Sequence, residues 1–153
     1  EADLQPDASA WAERLAADPE LTTCRLAIPS IELDLPILEM TEDSMLDLGP
    51  GHWPETPLPG MGGHFVISGH RTLHGGPFLR LGELQPGEIL VVTLPYAEVE
   101  YSVTQTLIVG WEDVHVVRSK GLEELSLTTC HPIGKADSVM VVQAEAVRCR
   151  LID

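Results

Sequence analysis

Basic residues are scarce in this chain. Nine Lys and Arg stand against 24 Asp and Glu, a formal net charge of −15 over 153 residues. Nucleic-acid affinity comes largely from cations meeting phosphates, so no nucleic-acid partner is expected. The same balance argues against docking on an anionic membrane face. The acidic residues are scattered rather than clustered, the pattern of a solvated surface. Long apolar runs are also missing: nothing approaches the roughly 20 apolar residues of a transmembrane helix. No signal-peptide pattern opens the sequence, which starts at Glu1 rather than Met, and an addressing segment is expected outside it. Cysteine is sparse too. Three Cys are too few for a disulfide scaffold.

Several motifs are absent. There is no Cys-x-x-Cys. His70 and His74 stand four apart, but Gly75-Gly76 follows them, so they do not share a helix face as metal-binding pairs do. The acidic residues form no loop with calcium-ligand spacing. Gly60-Met61-Gly62-Gly63 lacks the Lys-Ser/Thr of a phosphate-binding loop. Neither a metal nor a cofactor is expected.

The chain has enough to build one domain with a core, since 44% of its residues are hydrophobic. Residues 7–18 read as a short helix capped by Asp7 or Ser9, with Trp11 and Leu15 on one face and Pro19 as its stop. The division expected is a helical extension over 1–20 and a catalytic domain over 21–153. Beyond the helix, short apolar runs recur between Pro and Gly. Strands are expected at 24–28, 64–68, 88–94, 98–109, 124–129 and 139–147, with a pair of extended pieces at 31–35 and 36–38 and a helical turn at 44–47. Residues 49–63, rich in Gly and Pro, read as a loop. Strands at this spacing point to an all-β barrel or sandwich.

Two strand ends carry chemistry. Leu125-Ser126-Leu127-Thr128-Thr129-Cys130 runs into His131-Pro132. Phe65-Val66-Ile67-Ser68 runs into Gly69-His70-Arg71. A lone Cys is most often a core thiol, and most histidines are solvated. A thiol and an imidazole that both stand where an apolar strand breaks suggest a cysteine nucleophile with an acid/base partner. Thr128 and Thr129 could set hydroxyls beside it. Cys24 and Cys149 flank the first and last strands and are the candidates for a disulfide if the protein is secreted.

These residues also carry a family resemblance. Ile67-Ser68-Gly69-His70-Arg71-Thr72, Leu81-Gly82-Glu83-Leu84-Gln85-Pro86-Gly87-Glu88, Leu125-Ser126-Leu127-Thr128-Thr129-Cys130-His131-Pro132 and Gly49-Pro50-Gly51-His52-Trp53-Pro54 resemble the sortases. They occur in family order across residues 25–147. The Gly-His-Arg-Thr and Thr-Cys-His-Pro wording is most similar to class E or related sortases of high-GC Gram-positive bacteria. The resemblance implies a closed eight-stranded sortase-type β-barrel with short helices. It implies a cysteine transpeptidase with Cys130 as nucleophile and His70 as general acid, and Thr129 and His131 as substrate-groove candidates. The implied partners are proteins with a Leu-Pro-x-Thr-Gly-like sorting motif and an amine of a peptidoglycan precursor or pilin. It further implies a monomer at the cell surface, anchored by a transmembrane segment not in this chain.

One position departs from the family. The arginine expected about nine residues after the cysteine, on the last strand, is Val139. Lys135, on the loop after Cys130, and Arg71, beside His70, are the candidate substitutes for oxyanion or substrate contacts. The plain reading of Lys135 is an exposed loop lysine. Two expectations therefore stand together: a working transpeptidase with a substitute donor, or a weak or inactive sortase-like protein that binds sorting peptides or partners.

Overall fold

Apolar residues that alternate along short runs must bury one face, and a chain with many such runs solves this by closing them on themselves. A computed structural model of the chain describes residues 4–18, 21–39, 49–70, 78–110, 123–131 and 138–152, with the backbone alone at 130 and 131. The strands are β1 (Thr22–Ile28), β2 (Leu33–Glu39), β3 (Gly51–His52), β4 (His64–Ser68), β5 (Ile89–Thr93), β6 (Ala97–Val109), β7 (Glu124–His131) and β8 (Ser138–Leu151). They close in the order β1-β2-β3-β4-β7-β8-β6-β5, the eight-stranded barrel expected from the sequence. Among the described residues, closure leaves no long edge to pair with another chain.

The core is the barrel interior. Leu26, Ile37, Phe65, Ile67, Leu90, Tyr101, Leu125, Leu127 and Val142 meet there. The helix α1 (Gln5–Ala17) starts earlier than the sequence suggests. Its cap position is Leu4, which makes no side-chain capping bond, and a proline stands in its first turn. Neither Asp7 nor Ser9 caps it, because Pro6 is pre-shaped for a helix start and lies upstream of both. Leu4, Ala8, Trp11 and Leu15 join the barrel core, and the Trp11 Nε1–H donates to the Thr23 carbonyl at 2.8 Å. Residues 29–31 form a 3-10 turn rather than part of β2. The strand β3 lies inside the stretch expected to be loop. It pairs in parallel with β2 and antiparallel with β4. The helical turn expected at 44–47 lies outside the described residues.

Cys24 and Cys149 do not form the disulfide held open above; both are thiols, Cys24 buried and Cys149 exposed. The topology explains it. Cys24 is on β1 and Cys149 on β8, with β5 and β6 between them. Three inter-strand steps of about 4.8 Å exceed the roughly 7 Å Cα limit of a disulfide. Burial pushes the Cys24 thiol far up, and the charge of Glu39 adds to the shift. A thiol held protonated is a poor nucleophile. Iodoacetamide at pH 8 should therefore label Cys149 quickly and leave Cys24 unmodified until the protein is denatured. Peptide mass mapping checks this, and prompt native labelling of Cys24 would contradict it.

Candidate active site

The strands β4 and β7 are neighbours, parallel and in register from His64 beside Glu124 to Ser68 beside Thr128. The register continues past the end of β4. The Gly69 N–H donates to the Thr128 carbonyl at 3.1 Å, and Thr129 Oγ1 donates to the Gly69 carbonyl at 2.8 Å. His70 follows Ser68 by two residues, and Cys130 follows Thr128 by two. Strand periodicity therefore puts both positions on one face of the ladder, at the same end. On the other side of β7, Cys130 stands directly opposite Val139 of β8. Thus the backbone positions of the sequence-predicted cysteine and histidine, and the position where arginine was expected, come together on β7, just past the end of β4, and on β8.

The face they share is the outer one. Phe65, Ile67, Leu125, Leu127, Met140, Val142 and Ala144 point to the core. The alternate residues Val66, Ser68, Ser126, Thr128, Val139, Val141 and Gln143 are buried as well, but outside that core. This covered face is largely polar, and its groups are hydrogen-bonded to one another, as buried polar groups must be. The Trp53 Nε1–H donates to Ser68 Oγ at 2.6 Å, and the hydroxyls of Ser68 and Thr128 bond each other. His64 Nε2 bonds Ser126 Oγ, with Glu124 4.0 Å from His64 Nδ1. The Gln105 amide donates to Gln143 Oε1 at 2.6 Å. Val139, 3% exposed, offers no donor beside Cys130.

His70 is held from behind. Its carbonyl accepts the Phe78 N–H at 3.0 Å. The preceding Gly69 lies against the Phe78 ring, and a Cβ there would stand 2.8 Å from it. Any larger residue would push the histidine off its place. The imidazole itself is half-buried.

Thr129 differs from its expected place. It was a groove candidate, but its buried hydroxyl is spent on the Gly69 carbonyl. It faces away from Thr128 by strand alternation, and acts as a strut that ties the histidine-bearing strand to the cysteine-bearing one. Thr129→Val removes one neutral hydrogen bond and leaves a buried carbonyl short of a partner, about 1 kcal/mol or a fall of roughly 2–4 °C in Tm. Thr129→Ser should restore it. Calorimetry of both variants checks this; a Val variant as stable as the parent would dismiss the strut. The backbone of His131 pairs with Ser138. Arg71 and Lys135 lie outside the described residues.

The sequence did not single out the Trp53–Ser68–Thr128 chain or the His64–Ser126 pair. Their signal is the polar half of the alternation in Ser126-Leu127-Thr128-Thr129-Cys130, which becomes informative only once the β4/β7 register is known.

Comparison with known proteins agrees with this fold. Residues 26–147 match the sortase domain family. Sortase D of Bacillus subtilis (strain 168) is 36% identical over 126 residues, 80% of this chain and 62% of that protein. The chain thus spans less than two thirds of that relative. Sortase C-3 from Streptococcus pneumoniae has the same fold at a TM-score of 0.81 and 26% identity, over 97% of this chain and 84% of that one. Sortase E1 from Streptomyces coelicolor, solved with a tripeptide in the active site, gives 0.77 and 25%, over 87% and 92%.

Proposed function

Since the chain belongs to the sortase family, we propose that it is a cysteine transpeptidase with Cys130 as nucleophile and His70 as general acid. The observation that supports this reading is the β4/β7/β8 register, in which position 130 pairs with Val139 and lies two residues beyond the Ser68/Thr128 pair, as His70 does on the other strand. The Cys130 thiolate attacks the Thr–Gly carbonyl carbon of a Leu-Pro-x-Thr-Gly-like motif. The C–N bond breaks, and the His70 imidazolium gives its proton to the departing glycine amine. The acyl fragment stays on Cys130 as a thioester. An amine of a cell-wall precursor or pilin then attacks that thioester, loses a proton to the imidazole, and releases the thiolate. A thiolate is the reactive form, and a cation beside it lowers its pKa. The protein works as a monomer at the cell surface, outside the cytoplasm, held there by a segment outside this chain.

One observation favours a second reading. Val139 stands buried and donorless opposite Cys130, so the oxyanion of the tetrahedral intermediate needs a donor from elsewhere, with Lys135 and Arg71 as the proposed sources. Without one, the chain is a sortase-like protein that binds sorting peptides and turns them over slowly or not at all. Incubation with Leu-Pro-x-Thr-Gly and Leu-Ala-x-Thr-Gly peptides, followed by intact mass measurement, separates the two. A thioacyl adduct on Cys130 is the expected result. Peptide binding without any adduct would overturn the transpeptidase in favour of the binder.

A further inference from the structure

A cavity of about 550 Å³ lies between α1, the end of β2 and the 53–63 segment. Leu15, Leu58 and Met61 give it apolar walls, Glu39 and His52 line it from the barrel side, and Glu55 adds a second carboxylate. It is distinct from the cysteine site. His52 pairs with Ile67 on β4, and the chain after it bonds back to Val66 through Trp53 and Thr56. Val66 is four residues from His70, about 13 Å along a strand.

The polar floor of this cavity is half used. Glu39 is 7% exposed. Its Oε1 accepts from Thr23 Oγ1 at 2.6 Å and meets His52 Nδ1 at 2.8 Å. The other ring nitrogen of His52 faces the Thr56 carbonyl at 2.9 Å. Both nitrogens of the imidazole are therefore engaged, and His52 has nothing left for a ligand. Glu39 Oε2 is different: among the described residues it takes no hydrogen bond. Among the described residues the side-chain polar atom that is buried without a partner is Tyr101 Oη, so Glu39 Oε2 is reached from the cavity that it lines, and a carboxylate can only accept. What satisfies it must bring N–H or O–H, and a charged donor makes the stronger bond. No Lys or Arg among the described residues lines the cavity.

We propose that this cavity is a second binding site, which takes a primary ammonium carried on a short hydrocarbon arm. The ammonium sits on Glu39 Oε2, and the arm runs between Leu15, Leu58 and Met61 towards Glu55. The volume falls in the range of small-molecule sites. The formal charge of −15 enriches cations around the molecule.

Titration of the whole chain with n-pentylamine, followed by the Met61 methyl resonance, tests this. Saturable shifts are expected. Neutral n-pentanol should bind about tenfold more weakly, since it loses a charge-assisted bond. Glu39→Gln should weaken pentylamine by a similar factor. Because that change also touches the Thr23 and His52 bonds, Ala12→Leu serves as an independent variant: it fills the cavity from α1 and leaves the carboxylate in place, and it should abolish binding. Displacement of pentylamine by an Nα-acetyl-lysine amide would identify the ligand as a lysine side chain; binding of pentylamine alone would identify a free amine. Equal affinity for pentanol, or full pentylamine affinity in the folded Ala12→Leu protein, would overturn the proposal. The readout does not involve Cys130, so failure here leaves the cysteine chemistry untouched.

Discussion

Val139→Arg is expected to raise kcat for sorting-peptide cleavage by about 10²–10³, the scale of one oxyanion-hole donor. Val139 is the cross-strand partner of Cys130, and in an antiparallel pair such residues project on the same face. Its neighbour Met140 points to the core while Val139 lies outside it, so a guanidinium at 139 starts on the face that carries the cysteine. A charge that develops on the carbonyl oxygen during attack would meet a donor already in place. The gain should fall on kcat more than on KM, because the oxyanion exists only along the reaction path. The burial of Val139 sets the cost: a charged side chain must reach solvent or an acceptor past a face that is largely covered. Lys135→Ala and Arg71→Ala complete the measurement. If either abolishes turnover while Val139→Arg changes little, that residue already supplies the donor. If none of the three changes alters kcat, no cation assists the step and position 139 has no part in it.

What the sequence could disclose depended on range. The alternation in Phe65-Val66-Ile67-Ser68 and Leu125-Ser126-Leu127-Thr128 is local, so β4 and β7 were legible as strands, with two residues added at the end of β7. Two-residue β3 has no period to read and is defined only by its partners. As candidates, Cys130 and His70 were legible because each ends an apolar run. The role of Thr129 was not, since one residue of register decides whether a side chain faces the groove or the neighbouring strand. The proposed disulfide failed for the same reason: strands adjacent to the chain's ends in sequence are separated by β5 and β6 in the barrel. The Glu39–His52 pairing gave no signal, although His52 stands in a motif that carries the family resemblance, because it joins β2 to β3 across residues with no regular pattern.

Cys130→Ala is expected to abolish both the thioacyl adduct and turnover, while peptide binding persists. Loss of a nucleophile costs on the order of 10⁶ in kcat where it has been measured in serine proteases, so the variant should fall to background. The other two cysteines give the control. Cys24 is buried with its thiol pushed up, and Cys149 is exposed on β8, ten residues beyond Val139. Cys24→Ala and Cys149→Ala should turn over like the parent. The comparison also distinguishes the two readings of the protein. A slow transpeptidase loses its remaining rate and its adduct on Cys130→Ala. A pure binder shows no adduct before or after the change, and the parent and variant then bind the same peptide equally. Either Cys24→Ala or Cys149→Ala removing the adduct would take the nucleophile away from the β4/β7 strand ends, and with it the argument built on their register.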